Sequence, residues 1–340
     1  MGLDTNFFRK GNLMKQRLLQ LLAVATVLFF SGLAVAGTVR IDDGHIMVDF
    51  RNEMGPAAVL SIELVKTTRV PEDGREHGLP PHLGALPLKL ARDVNQRFVD
   101  HRWLDRDVVL APVADTQAMW INFTDPSVIS GYSDTSAHYP FAIIVATGKI
   151  NAINGEPLTT KLYADGSTHS HNYVVTGAFK EPGRQRWIDG YKVGPRTVRQ
   201  FVAVSRDSHT SVEEYMTGRV QWGGIQVIVY PLRWDVWERL QSRRDYSSRS
   251  RRGGSGRSAA PEKDVAAGGE IDQEIVFPNF GPADFDQDNG VKIWITMVDH
   301  YAWPYLTGEQ APNPVLTPPE SESPFQGAPH PDDTVHQKKW

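Results

Sequence analysis

Apolar and polar residues alternate along most of this chain with the two-residue period of half-buried strands. Ile46 to Phe50 and Ala58 to Val65 are two such runs, and the turn cluster Asn52 to Pro56 between them predicts a hairpin-like pair. The pattern returns in "QAMWINF" (Gln117 to Phe123), "PFAIIVATGKINAINGEP" (Pro140 to Pro157) and "HNYVVTG" (His171 to Gly177). It continues in "RTVRQFVAV" (Arg196 to Val204), "GGIQVIVYP" (Gly223 to Pro231), "GGEIDQEIVFP" and "VKIWITMVDH". Gly, Pro, Asn or Asp bound these runs, as strand ends require. Pro71 to Pro87 is rich in Pro and Gly without periodicity and reads as an ordered loop. Strands at this spacing, without strong helices between them, predict a mainly β fold: β-sandwich or partly closed barrel modules with short helices.

The N-terminus follows a different pattern. Lys15 and Arg17 precede an apolar stretch from Leu18 to Phe30, then Ser31-Gly32 and the small-residue tail Ala34-Val35-Ala36. A basic region, an apolar core and an A-x-A site predict a secretory signal peptide over 1–36, with an uncleaved membrane anchor as the alternative. The expected organisation is then an N-terminal β-rich region with a Pro/Gly loop (37–114) and a central β module (115–240). An Arg/Ser/Gly-rich linker or loop (241–262), a C-terminal β segment packing on the central module (263–315) and a disordered tail (316–340) follow.

Composition narrows the function. The chain has 40% hydrophobic and 22% charged residues, as a globular protein does, and its net charge of −4 is too small for this length to argue for nucleic acid or anionic membrane as a partner, so no nucleic acid is predicted. It has no cysteine, which excludes disulfides, thiol catalysis and Cys-ligated zinc. The linker "QSRRDYSSRSRRGGSGRS" is the one strongly basic stretch, and a protein or envelope-surface partner would meet the chain there.

The motifs with chemical content are few. Asp284, Asp286 and Asp288 alternate as hard oxygen ligands of a calcium loop do, but the EF-hand positions for Gly and the final acid hold Asn289 and Ile295. A polar turn launching the Val291 strand is the simpler account. His169 and His171 share one side of an extended backbone and so offer two imidazoles to one metal, with His138 or Glu156 as third-ligand guesses. In "RWIDGYKVGPRTVRQFVAV" (Arg186 to Val204), Asp189 and Arg199 are the candidate ligand-binding pair; they could also form a structural ion pair across the turn. "EEYMTG" (Glu213 to Gly218) and "AWPYLTG" (Ala302 to Gly308) share Tyr-x-Thr-Gly, whose Gly suits a left-handed helix end. The nucleophile elbow, H-E-x-x-H, the phosphate loop and the dinucleotide fingerprint are absent.

Several blocks, among them "VPEDGREHGLPPHLGALPL", "QAMWINF", "RWIDGYKVGPRTVRQFVAV", "VEEYMTGRVQWGGIQVIVYP" and "YLTGEQAPNPV", resemble a family of uncharacterised bacterial and fungal proteins. Some fungal members carry a ubiquitin-like segment. The resemblance runs from about Asp49 to Pro318 in the same order and implies a shared architecture with no established activity. This chain departs from it in its exported N-terminus and in an insertion at Tyr132 to Ala137. The expectation is an exported, non-enzymatic binding or structural module of the cell envelope, with no cofactor required. Trp120, Trp187, Trp222, Trp294 and Trp303 are expected mostly in the core, otherwise at an interface. The alternatives are a hydrolase using Asp189, Glu213 or Glu214, whose titratable groups must converge in one cleft, and a calcium-binding surface or adhesion module.

Overall fold

The computed structural model describes residues 37–115, 117–124, 139–177, 183–204, 211–219, 222–248 and 270–315. The expected signal peptide, the Tyr132 to Ala137 insertion, His138, the expected linker from residue 249 and the tail lie outside the described residues. In chain order, strands β1 (Thr38–Asp42) and β2 (His45–Asp49) lead through the helical turn α1 (Arg51–Met54) into β3 (Val59–Thr67). The short β4 (Glu76–His77) and β5 (Lys89–Leu90) precede three long strands, β6 (Asp107–Val113), β7 (Ala118–Thr124) and β8 (Phe141–Thr147). Six shorter ones follow: β9 (Ile150–Asn151), β10 (Ala164–Asp165), β11 (Ser170–His171), β12 (Val174–Val175), β13 (Trp187–Ile188) and β14 (Gly190–Lys192). The last elements are β15 (Thr197–Val202), α2 (Val212–Thr217), β16 (Ile225–Pro231), α3 (Trp234–Ser248), β17 (Glu270–Asp272), β18 (Val291–Asp299) and α4 (Trp303–Thr307).

These strands build a nine-stranded and a seven-stranded sheet. The first has the order β1-β2-β3-β7-β15-β17-β4, with β13 on β7 and β14 on β15. The second has the order β12-β8-β16-β18-β6-β5, with β9 on β8, and β10 and β11 form a separate ribbon. Pairing is antiparallel except for β4–β17 and β6–β18, which are parallel. The expected hairpin is made: Ile46 pairs with Ile62, which pairs in turn with Phe123, so one apolar row crosses three strands. In the other sheet, Val145, Val227 and Ile293 form a matching row, as do Ile225, Ile295 and Val109. Both sets of rows belong to one continuous core, and Phe50 beyond β2 meets Phe141 of β8 with ring centroids 5.9 Å apart. The fold is thus mainly β and sandwich-like, because alternation gives each sheet an apolar face and the two faces bury each other.

Alternation also explains a second, smaller core. Val108, Leu110 and Val298 lie one residue out of phase with the inner rows, on the far face of the seven-stranded sheet, and pack with Val99, Trp303 and Leu306. The Pro/Gly loop is ordered, as expected, and Gln200 pins its start: its side chain accepts from Val70 N (2.7 Å) and donates to Thr68 O (2.9 Å).

Two expectations need correction. From Gly37 onward the chain clusters as one unit, and the segments 37–114, 115–240 and 263–315 share both sheets rather than building modules of their own. Parallel pairing of β6 with β18 joins the first of these segments to the last. The linker does not begin at Gln241 either, since α3 runs on to Ser248. Val236 and Trp237 are buried at its start, the Asp235–Arg239 ion pair (2.9 Å) supports its first turns, and Arg is itself a good helix former.

Candidate functional site

A cavity of about 330 Å³ opens where both sheets end together. Met119 of β7 and Phe201 of β15 line it from one sheet, and Val113 of β6, Ile225 of β16 and Met297 of β18 from the other. The inward phase of each strand makes these residues apolar, and the strand ends turn polar where they meet water.

Glu213 is the most deeply set acid of this cavity, only 3% exposed. Ser211 caps α2 by accepting from Glu214 N (3.2 Å), and this fixes Glu213 in the first turn. Its carboxylate accepts from the backbone N–H of Trp222 (3.0 and 3.2 Å) and of Gly223 (2.7 Å), so it holds the loop before β16. The turn between β8 and β9 passes directly underneath. Gly148 has φ +51°, and a Cβ there would lie 2.2 Å from Glu213 Cβ, so only glycine lets the helix approach so closely. Gln226 locks the assembly by accepting from Lys149 N (3.0 Å) and donating to Gly223 O (2.7 Å).

Tyr191 of β14 supplies another wall. Its hydroxyl bonds Thr147 Oγ1 (2.6 Å) and its ring meets Phe201 edge to face at 4.9 Å. Burial pushes this phenol well above its ordinary pKa, so it stays neutral and hydrogen-bonding. Asp115 and Asp299 stand at the exposed rim, where Asp299 Oδ1 accepts from Tyr301 N (2.8 Å). Trp222, 37% exposed, also lines the cavity and stacks on Trp294 at 5.2 Å. Lys149 Nζ sits 3.9 Å from the Trp222 ring centre and the Arg106 guanidinium 5.0 Å from that of Trp294, a cation–aromatic stack beside the opening. Of the five tryptophans expected mostly in the core, Trp303 alone is fully buried; Trp120, Trp187 and Trp294 are half-buried.

Asp189, Arg199, the Asp284 to Asp288 turn and the two histidines singled out from sequence lie elsewhere. Asp189 is buried and closes a reciprocal pair with Gln273, its N–H donating to Oε1 (3.0 Å) and its Oδ2 accepting from Nε2 (2.6 Å). Arg199 finds its carboxylate in Glu270 at 3.8 Å, on the neighbouring strand β17, rather than across the turn. The segment that contains them does reach the cavity, but through Tyr191 and Phe201.

The Asp284 carboxylate accepts from Gly281 N (2.8 Å), and that of Asp286 from Asp288 N (3.2 Å) and from Asn289 N and Nδ2 (3.3 and 2.8 Å). This is the polar turn ahead of β18. His169 has φ +52°, so its backbone is not extended, and it is exposed whereas His171 is buried. Both rings meet the same Phe277 edge to face, at 5.3 and 5.2 Å. Neither nitrogen of His171 has a hydrogen-bond partner among the described residues. Burial, reinforced by nearby Lys192, pushes its pKa down to about 4 and keeps it neutral. Glu156 lies apart in an exposed turn with Asn154, and no group of three or more His, Asp or Glu is placed to hold a metal among the described residues.

The cavity itself was not legible as a motif, because its walls come from eight separate stretches of the chain. Glu213 was named only as one of several scattered acids, and Trp222 only as one of several tryptophans. No family model matches the chain, and neither a curated protein nor a solved structure is similar to it.

Proposed function

We propose that this chain is an exported, non-enzymatic binding module whose ligand occupies the cavity between the sheet ends. The observation that carries the reading is the cavity's size and make-up: about 330 Å³, apolar walls from both sheets and a few convergent polar groups. That is the ordinary description of a small-molecule pocket. Export rests on the basic-apolar-A-x-A pattern of residues 15–36.

The same groups favour binding over hydrolysis. Both oxygens of Glu213 already accept backbone N–H groups, Tyr191 is held neutral by burial, and no histidine lines the cavity among the described residues. A nucleophile with a base in hydrogen-bond reach, which acyl transfer requires, is not assembled there among the described residues. The test is ligand-observed NMR on a broad set of soluble small molecules, run on the wild type and on Ala114→Trp, which fills the rim. Hits that vanish in the filled variant while its melting curve is unchanged support the reading. Hits that persist undiminished would move the site elsewhere, and an absence of hits favours a purely structural module.

A further inference from the structure

We propose that the ligand is an uncharged molecule with an aromatic ring, held mainly by apolar contact. The inference rests on the cavity being the binding site and names the class of ligand that its lining accepts. No Lys, Arg or His is among the described residues of that lining, so an anion finds no counter-charge there. A cation fares no better, because each carboxylate is already engaged. Glu213 accepts the N–H groups of Trp222 and Gly223, Asp299 accepts from Tyr301 N (2.8 Å) at the exposed rim, and Asp115 also has a partner. Either ion would surrender its hydration without gaining a counter-ion, which is the costliest kind of burial. A polyol fails for a related reason. The Tyr191 and Thr147 hydroxyls already bond each other (2.6 Å), so most of its hydroxyl groups would be buried unpaired.

What remains is apolar surface of a particular kind. Met119 of β7 and Met297 of β18 bring one thioether from each sheet, and Trp103, Val113, Phe201 and Ile225 help to line the space. Unbranched thioethers adapt to the outline of a ligand, and sulfur gains more beside an aromatic edge than beside a saturated chain. Trp222 is already stacked on Trp294 and capped by Lys149, so the methionines and Phe201 carry the recognition. About 150 Å³ of dry apolar space holds a benzene. At about 330 Å³, this cavity has room for two fused rings.

The experiment varies charge on one ring and then the ring itself. Benzyl alcohol, benzylammonium and benzoate are titrated into the full chain at neutral pH by ligand-observed NMR, with cyclohexylmethanol as the saturated counterpart and naphthalen-2-ylmethanol as the two-ring probe. Benzyl alcohol should bind about tenfold tighter than either ion and several-fold tighter than cyclohexylmethanol, and the two-ring alcohol tightest. Met119→Leu and Met297→Leu, which nearly keep side-chain volume, should each narrow the preference for benzyl alcohol over cyclohexylmethanol while melting stays cooperative. An ion that binds as tightly as benzyl alcohol, with both lost in Ala114→Trp, overturns the uncharged class and leaves the cavity reading standing. A saturated alcohol that matches the aromatic one overturns the ring preference in the same way. If no neutral ring-bearing probe binds while other hits of the broad set vanish in Ala114→Trp, the proposal falls alone. If Ala114→Trp diminishes no hit, the cavity reading falls with it.

Discussion

The helices α2 and α4 end in the same four-residue pattern, Tyr-x-Thr-Gly, and close in the same way. Gly218 and Gly308 sit in the left-handed region at φ 76° and 75°, their N–H groups bonding Glu214 O and Pro304 O. The preceding threonine folds back in both: Thr217 Oγ1 bonds Glu213 O (2.7 Å) and Thr307 Oγ1 bonds Trp303 O (2.9 Å). The residue gripped by that threonine differs completely. In α2 it is a carboxylate beside the cavity; in α4 it is an indole with no exposed surface, sealing the second core. A shared local motif therefore fixes how a helix stops, while the residue one turn earlier decides what the helix is for.

Replacing each gripped residue separates the two roles. Trp303→Ala should have the largest effect, a loss of about 3–5 kcal/mol in chemical denaturation, since it empties the centre of the small core. Ligand binding by the folded fraction should fall far less than stability, because Trp303 does not itself line the cavity and meets it only through Val298 and Trp103 of the small core; a comparable loss of affinity in that fraction would join the two regions.

Acid should come next and should treat both helices alike. The His171 pKa falls from 6.5 to about 4 on folding, so its contribution is complete above about pH 6.5 and lost as pH drops toward 4. The cost is on the order of 3 kcal/mol. His171→Leu should flatten that part of the stability profile, equally in the wild-type and Trp303→Ala backgrounds. A profile that stays steep would assign the acid sensitivity to other groups.

Glu213→Ala should cost less than Trp303→Ala, about 1–3 kcal/mol, by stranding the Trp222 and Gly223 N–H groups. Its signature should be local: faster hydrogen exchange at those two amides, with protection unchanged around α4. Smallest and most alike should be Gly218→Ala and Gly308→Ala, each about 1 kcal/mol, because no side chain crowds either site and only the left-handed conformation is penalised. Unequal values would break the equivalence of the two helix ends.

What the sequence revealed follows the range of the interactions. Strands such as Ile46 to Phe50 show themselves through their own alternation, and the Tyr-x-Thr-Gly ends through the backbone demand on glycine, since both are local. Reading the second half of α3, from Gln241, as linker failed because its arginines and serines outweighed the few apolar residues at the helix start. Asp189 looked functional but pairs with Gln273, 84 residues away, and Arg199 with Glu270, 71 residues away. The cavity gathers residues from Trp103 to Asp299, and no window of sequence holds enough of them to form a pattern.

The parallel pairing of β6 with β18 sets a schedule for the chain. Val109 on β6, one strand in from the edge of the seven-stranded sheet, waits for Ile295, so that sheet cannot be completed until almost the whole described chain has been synthesised. A growing chain must keep "VVLAPV" soluble for nearly two hundred residues of synthesis, an interval in which holding it unfolded is easier than folding it.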